Sequence, residues 1–296
     1  MRNLLSGPLE SLEQNKLAQI MRTLLDRYPI IVVGDSGEPV DLVTETLVSL
    51  VPHRREYVFG SDFITSSEHE QIINHENSDY NSERIIFRAP SSAAAAILNR
   101  IQDFKGWVIA SNSDSFEKIY MAMKNLTKYL VVIRLKNGSL KLELNGGQNF
   151  LTDTSFEQNL LEKVVSETRI KIERIKRVLC RTAQGKVSER LERSLVDLQH
   201  EEERIRQSLF REQMLAFVQA AWRTLIILLR LRLLEGVGVK SVISEKILRQ
   251  AIDYKSASIN RLMDFINAEW GEDFRNSVEG GRKRSFGDRL EGSWTI

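Results

Sequence analysis

The chain has 296 residues, of which 42% are apolar and 28% charged, with a net charge of +2. This ordinary mixture suits two domains and a sizeable core, and excludes collagen-like and low-complexity chains. With 5 prolines and no long Gly or Ser tract, extended disorder is expected only at the ends, and one cysteine, Cys180, excludes an internal disulfide. The charge is uneven: residues 1–150 hold 16 basic and 18 acidic side chains, or −2, and the remainder 26 and 22, or +4. That asymmetry permits an anionic partner for the second half without requiring one. The opening MRNLLSGPLESLEQ has no continuous apolar core of signal-peptide length and turns acidic at once. With the lone cysteine, this gives a cytoplasmic expectation.

In chain order, residues 9–27 place leucines and isoleucines at helical spacing, and an amphipathic helix is predicted there. IIVVG (30–34) is a short apolar run ending at glycine, as a buried parallel strand would be. VDLVTETLVSLV (40–51) returns to the helical period, and EYVFGSDF (56–63) is a second predicted strand. Residues 64–82 read as polar and irregular. RIIF (84–87), WVIAS (107–111) and YLVVIRL (129–135) are three further strands, separated by helices at 91–104 and 114–126. Asn137-Gly138 then turns the chain into SLKLEL, a hairpin signal. Strands alternating with helices indicate βαβ units and a mostly parallel sheet with helices on both faces. The boundary of this domain is expected at 145–155.

Everything after Thr154 reads helical. Leu161, Val164, Thr168, Ile172, Ile175 and Leu179 form one apolar stripe, broken at RTAQG (181–185). The stripe resumes at Val187 and runs through Leu191, Leu195, Leu198, Ile205 and Leu209 into the very apolar segment Met214 to Leu234. Unbroken to Glu235, that helix would be on the order of 70 Å long. The apolar segment is long enough to span a bilayer, but Gln219, Arg223, Arg230 and Arg232 lie in it. Each arginine costs about 3 kcal/mol near a helix centre, so a buried or partner-covered helix is expected and no membrane span. An exposed stripe this apolar calls for cover by another chain, so self-association or a protein partner through residues 156–235 is expected. Two shorter helices follow at 244–253 and 258–270, then a tail with a basic run at Arg282–Arg284.

The stretch GDSGEPVD after the first strand is the one that bears on chemistry. A working phosphate loop reads G-x-x-x-x-G-K-[ST]: glycines turn backbone N–H groups around the phosphates, the lysine neutralises charge and the hydroxyl binds Mg²⁺. IIVVGDSG resembles the first strand and loop of P-loop NTPases, of the small-GTPase and RecA or AAA kinds. The resemblance covers residues 25–145 in topology and only 30–37 in motif, and it implies Gly34, Ser36 and Gly37 as the cofactor-binding residues if a nucleotide binds. Counting from Gly34, the second glycine falls on Pro39, the lysine on Val40 and the Ser/Thr on Asp41. Proline removes a donor, valine brings no charge, and Asp41 puts a carboxylate where phosphate would sit; with Asp35 and Glu38 the loop is acidic. The domain therefore reads as a degenerate, pseudo-NTPase module with no cofactor.

The other polar residues at strand ends, Asp62, Asn112 and Asp114, read as turn residues and helix caps, with a sensor or metal role as the rival. His69 and His75 lack metal-pair spacing and are placed in a surface loop. Cys180 reads as a buried apolar thiol. No nucleophile elbow or guanine-reading N-K-x-D occurs, so no catalytic or metal residue is assigned. ILRQAIDYKSASINRLMDFI resembles a helix-turn-helix, which would put Lys255, Ser256, Asn260 and Arg261 at the start of the second helix as candidate DNA contacts. Against a nucleic-acid reading, residues 241–296 carry nine basic and nine acidic side chains.

The fold class expected is α/β, a mostly parallel doubly wound P-loop-like sheet, followed by an all-α module with a long coiled-coil-like helical hairpin. The expected parts are 1–150 (P-loop-like domain), 151–240 (helical hairpin), 241–277 (short helical pair) and 278–296 (tail). The function expected is a non-catalytic structural or regulatory subunit. The alternatives are an NTPase with an atypical phosphate loop that uses Lys105 or a lysine supplied by a neighbour, and a DNA-associated factor that uses the C-terminal helical pair.

Overall fold

The computed structural model describes residues 9, 12–100, 106–136, 138–145, 151, 153–182, 188–238 and 242–279, the side chains of 99, 100 and 178–200 excepted. The chain divides into two compact units, 1–215 and 216–296. The division falls inside a long helix. Lys105, Asn137, the part of RTAQG beyond Thr182, the basic run Arg282–Arg284 and the side chain of Cys180 lie outside the described residues.

The first unit opens with α1 (Gln14–Leu25), β1 (Ile30–Gly34), α2 (Gly37–Val48), β2 (Arg54–Val58), α3 (Ser66–Asn77) and β3 (Arg84–Ala89). It continues with α4 (Ala94–Arg100), β4 (Trp107–Asn112), α5 (Ser113–Leu126), β5 (Leu130–Lys136) and β6 (Ser139–Asn145), then α6 (Ser155–Thr182) and the start of α7 (Ser188–Gly236). The six strands form one sheet in the order β2-β3-β4-β1-β5-β6. All neighbours are parallel except the β5–β6 hairpin. Val32 of β1 lies beside Ala110 of β4 and Ile133 of β5.

Why IIVVG forms the centre follows from its composition. β-Branched residues suit a pleated surface, and a strand covered on both faces needs an unbroken apolar run. All five β1 residues are buried. Ile31 and Val33 join Phe87, Trp107, Ile109 and Val132 in one core with Ile97 of α4 and Ile119 of α5. The alternate residues Ile30, Val32, Val108 and Ile133 are equally buried and project to the opposite face. At the sheet edge, β6 carries the charged Lys141 and Glu143, which discourage pairing with a further strand.

Residues 66–77 are helical, not irregular as the polar composition suggested. The cause is a capping box: Thr65 Oγ1 accepts from the Glu68 N–H, and Glu68 Oε2 accepts from the Thr65 N–H. The helix then buries His69, correcting its surface-loop placement. Its ring stacks on Phe63 at 5.6 Å and lies 4.5 Å from Phe87. An imidazole there works as an aromatic core residue, whereas His75 stays on the surface.

Glu76, at the end of α3, is buried and holds three segments together. It forms a bidentate ion pair with Arg27, at 2.9 and 3.0 Å, and its Oε1 also accepts from the Ile85 N–H at 3.0 Å. Arg27 has φ 58 in the turn between α1 and β1. Arg84 donates to the Glu76 carbonyl at 2.7 Å. Arg54 likewise donates to the last carbonyls of α1, Leu24 and Leu25, at 2.6 and 3.0 Å.

α6 buries Leu161, Val164, Thr168 and Ile172 of the expected stripe, with Phe156 and Leu160 besides; Ile175 is half-buried, the side chain of Leu179 lies outside the described residues, and Gln158 donates to Asn15 of α1 at 2.8 Å. α7 buries Leu209, Phe210 and Met214 in this unit, and Lys163 donates to Gln213 at 3.0 Å.

The second unit contains the rest of α7, β7 (Ile243–Ser244), α8 (Glu245–Ile252), α9 (Ile259–Trp270) and β8 (Val278–Glu279), with β7 parallel to β8. Phe217 of α7 meets Phe265 of α9 at 4.9 Å and Trp222 meets Trp270 at 5.8 Å. The segment Glu201–Gly236 of α7 is long and apolar enough to cross a membrane by length and composition, and 39% of its most apolar window is buried within the protein. Arg232 of this segment pairs with Glu272 at 2.5 Å and lies 4.2 Å over the Phe274 ring.

Removing the cation from the buried pair tests the first unit's frame. Arg27→Met leaves the Glu76 carboxylate buried without its counter-ion and is expected to cost about 3 kcal/mol of unfolding free energy. Urea denaturation checks this; a loss under about 1 kcal/mol contradicts it.

Candidate functional site

The strand order reverses at one place. β1 leads to β2 at one edge, while β4, its neighbour, leads to β5 on the other side of β1. Loops leaving to opposite sides open a crevice at the carboxyl ends of the strands, where α/β sheets bind ligands. Gly34–Gly37 and Asn112–Ser113 flank that point, and the Ser113 hydroxyl donates to Asp35 at 3.1 Å across it.

The loop itself is short. Only Asp35 and Ser36 separate β1 from α2, so there is no length of backbone to wrap a phosphate. Ser36 is the N-cap of α2 in extended conformation and makes no side-chain cap bond. Gly34 and Gly37 are both required by packing. A Cβ on Gly34 would lie 2.8 Å from Val40 Cγ2, and one on Gly37 would lie 2.5 Å from Ser91 Oγ. Neither has positive φ.

Each position that would carry phosphate chemistry has a different occupation. Pro39 sits in the first turn of α2, where its missing N–H costs little. Val40, at the lysine's place, is fully buried under Gly34. Asp41, at the metal-binding hydroxyl's place, accepts two hydrogen bonds from Ser91, from the N–H at 2.7 Å and the hydroxyl at 2.8 Å. The loop after β3 is thereby closed over the first turn of α2. Arg88, the cation at the end of β3, is taken by Glu56 and by Glu45 at 3.5 Å. Asp35 on the loop and Glu38 in the first turn of α2 are exposed negative charges that repel an anion.

The remaining strand-end residues act locally. Asp62 accepts from the Val58 N–H at 2.6 Å and closes the turn after β2. Asn112 caps α5, its Oδ1 accepting from Ser115 N at 3.0 Å. Asp114 and Lys118 line a cavity of about 390 Å³ with Ala95, Leu98, Asn112 and Ser115. Among the described residues no three His, Cys, Asp or Glu side chains are grouped to hold a metal ion.

Sequence reasoning missed Ser91 and Arg88. Ser91 is 50 residues from Asp41, so no local spacing could pair them. The apolar pattern of PVDLV, with Val40 at a core position of the helix, was the one signal that the lysine site faces inward.

The second candidate is the α8–α9 pair. Asp253 ends α8 in the left-handed region at φ 49, and Ser258 caps α9 by accepting from Arg261 N at 3.1 Å. Lys255, Ser256 and Asn260 are exposed. Arg261 is 3% exposed, with its guanidinium 5.5 Å from the centre of the Phe217 ring. The turn thus presents three of the four candidate DNA contacts and folds the fourth inward. Arg261 is one of the buried residues of α9, with Ile259, Leu262, Met263 and Ile266. Tyr254 lies beside Phe217 at 6.4 Å, and burial pushes its phenol up to about 12, against a smaller opposing effect of its hydrogen bond with Ser256.

Asp41→Ala is expected to lose about 1–3 kcal/mol, because it strands the Ser91 donors. Val40→Lys, which writes the missing lysine back in, is expected to lose more, since it drives an ammonium into the core. Thermal unfolding of both variants checks the order; a stable Val40→Lys protein contradicts it. The raised Tyr254 phenol stabilises the fold fully below the ordinary tyrosine value near 10, and that stability is lost as pH rises towards 12. In an ultraviolet titration Tyr254 is expected to ionise late, together with unfolding, and Tyr254→Phe removes that step; ionisation of all tyrosines near pH 10 contradicts this. No protein-family model matches the chain, and no curated protein or solved structure matches it.

Proposed function

We propose that the α/β part of the chain is a degenerate P-loop-like, doubly wound module that keeps the sheet without phosphate chemistry. On this reading the protein is a non-catalytic structural or regulatory subunit of the cytoplasm, and the α6–α7 helices dock a partner or a second copy through residues 156–235. The observation that carries the reading is the double hydrogen bond from Ser91 into Asp41 over a loop of two residues. It uses the side chain at the metal position to close the site. The atoms packed closest to Gly34 and Gly37 belong to Val40, Leu135 and Ser91, none of which brings the charge that a lysine would.

The docking half rests on exposure. Leu215, Leu233 and Leu234 of α7 are 42%, 73% and 45% exposed. A groove of about 890 Å³ in the first unit, lined by apolar residues such as Leu50 and Phe210 together with charged ones such as Glu56, Arg204 and Arg211, offers a second surface. The arginines of α7 favour an aqueous setting over a membrane span, since Arg232 already binds Glu272 and Arg223 donates to the Ile252 carbonyl at 3.4 Å.

Two measurements on the purified chain test this together. Calorimetric titration with Mg²⁺-ATP and Mg²⁺-GTP is expected to give no binding heat, and light scattering a mass above that of one 34.0 kDa chain. Tight, Mg²⁺-dependent binding overturns the module reading. A single-chain mass at every concentration overturns self-association and leaves docking to a different protein.

A further inference from the structure

We infer that the solvent face of α6 between residues 169 and 177 is a contact surface for the phosphate backbone of duplex nucleic acid. The segment reads RIKIERIKR and holds five basic side chains, Arg169, Lys171, Arg174, Lys176 and Arg177, against one acid, Glu173. All five cations are exposed. Glu173 is shared between Arg169 at 3.2 Å and Arg177 at 3.9 Å. Lys171, Arg174 and Lys176 carry no hydrogen bond or ion pair among the described residues.

Among the described residues, Glu201 and Glu202 of α7 pair within their own helix, with Arg204 at 3.8 Å and Arg206 at 2.8 Å, and Glu203 accepts from Gln207 at 3.2 Å. Lys171, Arg174 and Arg177 advance three residues at a time, about 4.5 Å of rise per step. Duplex nucleic acid carries one phosphate per about 3.4 Å of axis on each strand, so a basic segment of this length faces several phosphates.

The apolar side of the same helix discriminates between polyanions. A helix that lies in a membrane surface needs its apolar face free to enter the lipid. Here Val164, Thr168 and Ile172 are buried inside the protein, which leaves Ile170 as the exposed apolar residue of the segment. What remains for a partner is charge, the sequence-independent component of nucleic-acid binding. The turn before α9, which exposes Lys255, Ser256 and Asn260, is the rival surface for the same ligand. The inference goes beyond the proposed function and does not depend on it.

Fluorescence anisotropy of the full chain with a labelled random-sequence duplex tests the surface. Binding is expected at low salt and is expected to weaken steeply as salt rises. The triple variant Lys171→Gln, Arg174→Gln, Lys176→Gln is expected to bind at least about tenfold more weakly. It is also expected to lower the salt slope by about 2 to 3, near 0.9 for each phosphate no longer neutralised. Circular dichroism shows whether that variant keeps its helix, and Lys118→Gln, on another element, is expected to bind as the parent does. No binding at low salt, or unchanged affinity and slope in the folded triple variant, overturns the inference. So does loss of binding confined to Lys255→Gln with Asn260→Ala, which assigns the surface to the second unit. Binding to phosphatidylserine vesicles or polyglutamate with no binding to duplex assigns the face to another polyanion and overturns it too.

Discussion

Asp41 holds the loop after β3 against the first turn of α2 through two hydrogen bonds, at 2.7 and 2.8 Å, from the N–H and hydroxyl of Ser91. Around that interaction the other features of the strand ends fall into place. The approach is close enough that a side chain at position 37 would have to displace the Ser91 hydroxyl, and Val40 lies beneath Gly34. A carboxylate that accepts two hydrogen bonds is satisfied where it stands. The crevice at the reversal of strand order is thus bridged by Ser113 and Asp35 on one side and closed by Ser91 and Asp41 on the other. The sheet depends on its apolar strands, whereas binding a ligand depends on a few loop atoms.

The opposite end of the sheet is secured by a second polar device. Glu76 is buried with Arg27, Arg84 and the Ile85 N–H around it, so its charge is compensated in place. Buried ion pairs add little net stability compared with an apolar replacement, but their geometry is unforgiving. Here the pair fixes which turn, helix end and strand start meet.

The parallel sheet was legible because continuous apolar runs alternated with helical periods, and IIVVG, RIIF, WVIAS and YLVVIRL all became strands. The stripe from Leu161 to Ile172 likewise became the buried face of α6. Two things were not legible. Helix α3 was hidden by polarity, since its signal lay in the T-x-x-E of a capping box and not in hydrophobic period. Ser91 and the inward turn of Arg261 depend on packing between distant segments, at 50 residues' separation in the first case, and spacing along the chain carries no record of it. The glycines of GDSGEPVD looked like relics of a phosphate loop, and their close neighbours give each one a packing duty of its own.

On the proposed reading, the backbone from Asp35 to Asp41 is closed to phosphate. Amide hydrogen exchange over that stretch and at Ser91, with and without saturating Mg²⁺-nucleotide, measures it directly. Identical exchange is expected in both conditions, with the Ser91 amide protected by Asp41 throughout. Slowed exchange at Asp35–Glu38 on adding nucleotide, with the Ser91 amide released, would contradict it.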